Sequence, residues 1–212
     1  MSVHKSFLLV FIFLMIILQI PGLRVSGQAT DSTLSIRFFT KAEVGVGIGL
    51  GYFKTDITSK GYQLRIRNDE ILYAVNSING ILFSERTGLG IGVGAEPWKD
   101  AMLFPVFLHL FYDLAPKENT FYGAISAGYS FGKRYSTIHY ESGTGGFMFN
   151  IGIGYKSNIS KRIKFEYEVF YNYQAVRSKY YIHSDSANVI PAEVNYTVPY
   201  HFAGFKLGIN FH

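Results

Sequence analysis

The chain has 212 residues, a formal net charge of +5, 22 Gly, 16 Tyr, 19 Phe and no Cys. This length suits one domain of ordinary size. The lack of Cys excludes a disulfide framework, thiol catalysis, a thiolate metal site and a lipoprotein anchored through an acylated Cys. The basic residues are spread along the chain without a dense cluster, so we expect no nucleic-acid partner.

The N-terminus has the composition of a secretory signal. Lys5 precedes fourteen nearly uninterrupted apolar residues, 7–20, and small residues follow them. A basic start, a short apolar core and a small-residue region are typical of a cleaved signal peptide, whereas a membrane-spanning helix needs ~20 residues. We therefore predict a helical signal peptide over residues 1–27, with cleavage after Gly27 or Ala29. Its removal lowers the net charge to +3 because it carries two basic residues and no acidic one.

Residues 28–40 are predicted to form a short polar lead-in in the periplasm, and the barrel domain is predicted over residues 41–212. From Glu43 onward apolar residues alternate strictly with glycines at positions 45, 47, 49 and 51. Alternation of this kind indicates a β-strand with one apolar face. Glycine weakens an ordinary strand, but a narrow barrel needs small inward residues to leave room for others. We expect the glycines to face a lumen.

The second predicted strand, residues 70–83, is less regular. Ile71, Tyr73 and Val75 share one parity, while Ile78 and Leu82 have the other. A β-bulge near residues 76–77 would reconcile the two halves, and so would a different facing of the strand.

The third and fourth predicted strands, residues 88–95 and 102–113, flank a connection that contains Trp98, a residue type suited to a membrane interface. The fourth strand is apolar on both faces, with Pro105 and His109 in the inward set. We interpret His109 as a lumen-packing residue rather than as a ligand or catalyst.

Four more alternating segments follow, at residues 121–131, 147–156, 162–175 and 203–211. The seventh carries seven same-face apolar residues, which exceeds the usual strand of a soluble protein and fits a tilted membrane crossing. Tyrosines near the predicted strand ends are expected to form aromatic girdles: Tyr52, Tyr112, Tyr129, Tyr155 and Tyr173.

The connections differ in length on the two sides. Long loops are predicted at 54–69, 133–145 and 176–199, and short turns at 84–87, 114–119 and 157–161. After the signal there is no other long apolar run, so a membrane protein of this kind must close its backbone hydrogen bonds as a barrel. We predict an all-β, eight-stranded, antiparallel up-and-down transmembrane β-barrel in the bacterial outer membrane. A soluble exported β-sandwich or barrel is the alternative.

Three segments resemble a known family. The runs at 88–94 (GLGIGVG), 104–108 (FPVFL) and 127–131 (AGYSF) are similar to those of the porin-like outer-membrane β-barrel domain family of Gram-negative envelopes, and the resemblance covers about residues 41–212. It implies the fold and location, and recognition of the C-terminal strand by the barrel assembly machinery. Members mostly have no assigned activity and usually end on an aromatic residue, whereas here His212 follows Phe211.

Six charged residues are predicted to meet in the lumen: Glu43, Arg162, Lys164, Glu166, Glu168 and Lys206. Because buried charges must be paired, they are interpreted as a salt-bridge network that plugs the barrel. A narrow polar or proton-conducting path is the functional alternative. The same facing of Glu166 and Glu168 also resembles a carboxylate pair for acid–base chemistry.

Three classes of function remain open. The leading prediction is a structural or surface-interaction barrel that contacts outer-membrane lipids and an unidentified surface ligand, with a narrow channel as the second. A lipid-modifying enzyme is the third, because His/Ser pairs occur in two loops: His139, Glu141 and Ser142, and His183, Ser184, Asp185 and Ser186. We predict no catalytic, cofactor-binding or metal-binding residue.

Overall fold

A computed structural model describes residues 37–56, 63–97, 101–134, 142–160, 162–182 and 192–211. In these parts of the chain the strands are β1 (Arg37–Leu50), β2 (Tyr52–Asp56), β3 (Gln63–Arg67), β4 (Ile71–Leu82), β5 (Thr87–Pro97), β6 (Ala101–Asp113), β7 (Thr120–Arg134), β8 (Ser142–Thr144), β9 (Phe147–Ser160), β10 (Ile163–Ile182) and β11 (Ala192–Phe211). No helix among the described residues is long and apolar enough to cross a membrane.

Eight long antiparallel strands form a closed barrel: β1, β4, β5, β6, β7, β9, β10 and β11. The last strand, β11, pairs with β10 on one side and with β1 on the other, which closes the sheet. The predicted all-β, eight-stranded, up-and-down architecture is therefore confirmed. Short connections such as 83–86 and 114–119 lie at one end, called the turn end. The β2–β3 hairpin and the far parts of β10 and β11 lie at the other, called the hairpin end.

The outer surface carries the predicted apolar stripes. On β1, Val44, Val46 and Ile48 are exposed, while Gly45 and Gly47 face inward toward side chains of other strands. The other strands continue this apolar belt with Ile91, Leu108, Ile125, Ile151, Ile153, Val169, Phe205 and Leu207. A belt of exposed apolar side chains around a whole barrel is the surface that a lipid bilayer covers.

Several lumen glycines lie where large side chains approach the wall. Phe170 is paired with Gly204, and a Cβ atom on Gly204 would lie 2.8 Å from Cζ of its ring and would overlap the carbonyl oxygen of Val46. Gly92 likewise leaves room for the ring of Phe107. Only a residue without a Cβ permits such approaches. The glycines of the inner face therefore leave space for the large side chains that fill the lumen.

The interior contains two apolar clusters. The turn-end cluster consists of Phe39, Ile78, Leu82, Phe107, Phe111, Tyr122, Ala124 and Met148. The hairpin-end cluster consists of Leu72, Leu103, Phe170, Val176, Val198, Tyr200 and Phe202.

The predicted bulge in the second strand is wrong. The register of β4 runs without a shift against β1, from Ile48↔Ile71 to Arg37↔Leu82, and against β5. Ile78 and Leu82 instead face the lumen, where they join the turn-end cluster. The alternative explanation, a different facing of these residues, holds because part of this lumen is itself apolar.

The predicted loop at 176–199 is also wrong over most of its length. β10 and β11 remain paired from Ile163↔Phe211 to Ile182↔Ala192, so each strand has 20 residues. A tilted membrane crossing takes only about 9–11 residues, and the rest of this hairpin therefore extends past the membrane. The predicted loop at 54–69 contains the β2–β3 hairpin, and the loop at 133–145 contains β8.

Other boundaries differ from the predictions by a few residues. β1 begins at Arg37, ahead of the predicted barrel start at residue 41, and β5 continues through Glu96. Pairing of β5 with β6 runs from Thr87↔Tyr112 to Val93↔Val106 and resumes at Glu96↔Leu103. The signal peptide at 1–27, Trp98 and His212 lie outside the described residues.

Candidate functional site

The most distinctive feature of the interior is a group of buried charges, called the lumen network: Lys41, Glu43, Asp113, Lys156, Glu166, Glu168 and Lys206. Lys41 is at its centre. Its Nζ lies 2.9 Å from Oε2 of Glu43, 2.9 Å from Oε2 of Glu166 and 3.8 Å from Oε2 of Glu168. These side chains are about 2 % exposed, so water screens their charges little.

The other two lysines extend the network in opposite directions. Lys206 Nζ lies 3.1 Å from Oε1 of Glu168 and 3.4 Å from Oε1 of Glu43. Toward the turn end, Lys156 Nζ lies 2.6 Å from Oδ1 of Asp113 and 3.7 Å from Oε1 of Glu166. Its Nζ also lies 3.6 Å from the ring centroid of Phe111, so a cation–π contact joins the network to the turn-end cluster.

Neutral side chains satisfy more of the carboxylate oxygens. Nδ2 of Asn76 donates to Oε1 of Glu43 at 2.9 Å, and Nδ2 of Asn210 donates to Oε1 of Glu166 at 2.8 Å. The hydroxyl of Tyr122 donates to Oε2 of Glu168 at 3.0 Å. Buried ion pairs are held in place when such hydrogen bonds occupy the remaining lone pairs.

The predicted lumen charges fall into two groups. Glu43, Glu166, Glu168 and Lys206 do meet, as predicted. Arg162, however, is exposed in the connection between β9 and β10, so its predicted lumen position is wrong. Lys164 is half-buried and lines a cavity of about 400 Å³ at the turn-end mouth, together with Arg37, Glu85, Lys117, Glu118 and Asn158.

Four charged members of the interior were missed: Lys41, Glu96, Asp113 and Lys156. The sequence did contain a signal for two of them. Lys156 has the parity of the inward residues of its strand, and Glu96 continues the inward parity of the glycines in β5. Lys41 lies ahead of the alternation that was recognised from Glu43 onward, and Asp113 is the last residue of β6, where parity alone does not distinguish a lumen residue from a residue of the mouth.

His109 and Pro105 lie on the inner face of β6, as predicted. Nδ1 of His109 is 2.9 Å from the hydroxyl oxygen of Ser126 on the next strand, and both residues are buried. This contact fits the interpretation of His109 as a lumen-packing residue.

Of the proposed enzymatic pairs, His139, Glu141 and residues 183–186 lie outside the described residues, and Ser142 is the first residue of β8. Within the part of the chain that the structure describes, no group of three His, Cys, Asp or Glu residues is arranged to hold a metal ion.

Solved structures with the same architecture are found among outer-membrane proteins. OprG from Pseudomonas aeruginosa is 14 % identical, with a TM-score of 0.55 over 82 % of this chain and 95 % of its own. The chain has the fold of the small outer-membrane β-barrels. Neisserial surface protein A is 11 % identical, with a TM-score of 0.51 over 83 % of this chain and 97 % of its own. Outer membrane protein AlkL is 11 % identical, with a TM-score of 0.50 over 89 % and 97 %.

No protein-family model matches the chain, and no curated protein matches it in sequence. The shared barrel and the apolar belt indicate a bacterial outer-membrane protein. At these identities the similarity describes the fold, and the role has to be argued from the interior and the hairpins.

Proposed function

We propose that this protein is a plugged outer-membrane scaffold that presents β-hairpins at the cell surface for structural or binding contacts. The observation that carries the proposal is the pairing of β10 with β11 as far as Ile182↔Ala192. A paired hairpin is far stiffer than a loop of the same length, since its backbone groups bond to each other. A rigid projection on a fixed barrel suits recognition of a neighbouring molecule.

The filled lumen supports a scaffold more than a channel. The lumen network and the two apolar clusters occupy the interior, and the cavity between them, beside Lys206, has a volume of about 10 Å³. An eight-stranded barrel is only wide enough for its own side chains unless they are small or displaced. We expect no stepwise conductance from the purified protein in planar lipid bilayers. Reproducible single-channel steps at neutral pH would favour the channel alternative.

Two partners belong to this proposal. The apolar belt contacts outer-membrane lipids, and the C-terminal strand β11 is the segment that the barrel assembly machinery engages. β11 suits that role because it closes the barrel against β1, from Thr40↔Phe211 to Leu50↔His201.

The chain contains no Cys, so one introduced Cys at each end tests which side is displayed. Thr197 is exposed near the hairpin end, and Lys117 is exposed in a turn-end connection. A membrane-impermeant maleimide should label Thr197→Cys on intact cells and Lys117→Cys only after the outer membrane is permeabilised. The opposite pattern would put the hairpins in the periplasm and overturn the proposal.

A further inference from the structure

Glu96 differs from the other carboxylates of the lumen. It is 3 % exposed, and its Oε2 has no hydrogen-bond partner among the residues that the structure describes. Glu43, Glu166 and Glu168 each lie within ion-pair distance of at least one lysine, but no such pair forms to Glu96 among the described residues. A buried carboxylate without a partner is costly, so Glu96 needs a proton, a water molecule or a cation beside it.

A cavity of about 10 Å³, room for roughly one water molecule, lies beside Glu96. Asn76 and Asn172 also line it, and the Oδ1 atom of each is buried without a hydrogen-bond partner in the described part of the chain. The amide orientation of Asn76 is fixed, because its Nδ2 donates to Glu43 at 2.9 Å. Three unpartnered acceptor oxygens, carried by β4, β5 and β10, therefore belong to residues around one small space.

Two of the donors that line the same cavity, those of Lys206 and Ser126, have other partners. Lys206 Nζ donates to Oδ1 of Asn150 and to Oε1 of Glu168, both at 3.1 Å, and Oε1 of Glu43 lies 3.4 Å away. The hydroxyl of Ser126 contacts Nδ1 of His109. Neither of these two donors bonds to Oε2 of Glu96 or to the Oδ1 atoms of Asn76 and Asn172.

The buried side chains of the lumen carry more acidic than basic groups, which is consistent with a bound cation. Its buried lysines are Lys41, Lys156 and Lys206, and its buried carboxylates are Glu43, Glu96, Asp113, Glu166 and Glu168. Among the described buried residues, acidic groups therefore outnumber basic ones by two, and Glu96 is the carboxylate that forms no ion pair with a lysine. One bound cation would reduce this imbalance at the place where it is least compensated.

We propose that this cavity binds a monovalent inorganic cation, held by the carboxylate of Glu96 and the amide oxygens of Asn76 and Asn172. Carboxylate and amide oxygens are the ligands of hard cations. A calcium ion takes 6–8 oxygens, and a single carboxylate beside the ammonium group of Lys206 is a poor match for a divalent charge. The occupant therefore carries one charge and is about as large as a water molecule.

Chemical unfolding of the purified full-length protein in lipid vesicles tests the site. Sodium, potassium and choline chloride are compared at one ionic strength, since choline is too large for the cavity. Above the dissociation constant, the folding equilibrium constant of the wild type should rise about tenfold for each tenfold rise in free sodium or potassium. Glu96→Gln should remove this dependence, and Asn172→Ala should shift it to higher cation concentration.

Glu85→Gln is the matched control, because Glu85 is an exposed carboxylate of the 83–86 turn, and it should keep the wild-type dependence. A direct readout is an anomalous-scattering peak from thallium(I) in crystals of the wild type that is absent from Glu96→Gln. Equal stability of the wild type in choline and in both alkali salts, or an unchanged dependence in Glu96→Gln, would show that Glu96 is satisfied by a proton or a water and would overturn the proposal.

Discussion

Lys41 and Glu166 connect two strands that are not hydrogen-bonded neighbours. Nζ of Lys41 on β1 lies 2.9 Å from Oε2 of Glu166 on β10, and β11 separates the two strands in the sheet. The contact therefore crosses the inside of the barrel rather than running along its wall. It joins the two strands that flank the closing strand, so we expect it to stabilise the closure.

Replacing Lys41 by Met should destabilise the barrel by about 3–5 kcal/mol, because the change leaves buried carboxylates without their shared cation. Glu166→Gln should then cost less in the Lys41→Met background than in the wild type, with a coupling of about 0.5–3 kcal/mol. Urea unfolding in lipid vesicles measures both quantities. Lys117→Met, at an exposed position, should change stability by no more than about 0.5 kcal/mol. Strictly additive effects of the two lumen substitutions would contradict an energetic link between these residues.

A second prediction concerns the fit between glycine and aromatic residues in the lumen. Gly204→Ala should destabilise the protein by about 1–3 kcal/mol, because its Cβ would meet the Phe170 ring and the β1 backbone. Gly123→Ala is the matched control, since no atom of the described residues lies within 4 Å of a Cβ built at that position. The same unfolding assay should show a change of no more than about 0.5 kcal/mol for Gly123→Ala. Equal costs at both positions would mean that strand propensity, not lumen packing, explains the glycines.

A third prediction separates the projecting hairpin from the barrel. Replacing residues 178–195 with a two-residue turn should leave the membrane-embedded pairs of β10 and β11, which include Tyr171↔Ala203, unchanged. The shortened protein should still enter the membrane fraction and still migrate faster on gels when unheated than when boiled. Loss of this heat-modifiable migration would show that the projection is needed for assembly, which would weaken its assignment as a display element.

Much of the wall was predictable because two rules act on it at once. Residues that face lipid must be apolar, and residues that face a narrow lumen must be small or must be polar and paired. Apolar residues therefore alternate strictly with small or polar ones in strands such as β1 and β5. The eight crossings, the inward facing of His109 and the meeting of Glu43 with Lys206 follow from that alternation.

The alternation of apolar and polar residues did not predict the apolar clusters inside the barrel. Ile78 and Leu82 are apolar yet face the lumen, because Phe39, Phe107 and Phe111 provide an apolar environment there. A two-residue period reports which residues share a face, but not which face meets lipid. The facing of β4 is settled by contacts with strands that are distant in sequence.

The projecting hairpin was missed for a different reason. The sequence of the outer part of β10 and β11 lacks strict alternation of apolar and polar residues in stretches such as 177–179 and 192–197, although their backbones are paired. Pairing there is held by the backbone and by its continuity with the membrane-spanning part. Polar composition of this kind predicts a loop, although a strand with a solvent-exposed face can also carry polar residues.

The central claim is that the apolar belt contacts hydrocarbon while the lumen is filled and enclosed. The most direct test measures nuclear Overhauser effects between lipid acyl chains and methyl groups of the unmodified protein in bilayer nanodiscs. Ile153 and Val169 are 69 % and 65 % exposed, whereas Ile78 and Leu72 are 0 % and 1 % exposed. Methyl groups of the first pair should show strong acyl-chain contacts, and those of the second pair should show none to lipid or water. Acyl-chain contacts at Ile78 and Leu72 with none at Ile153 and Val169 would mean that the barrel is inverted relative to the membrane and would contradict the assignment.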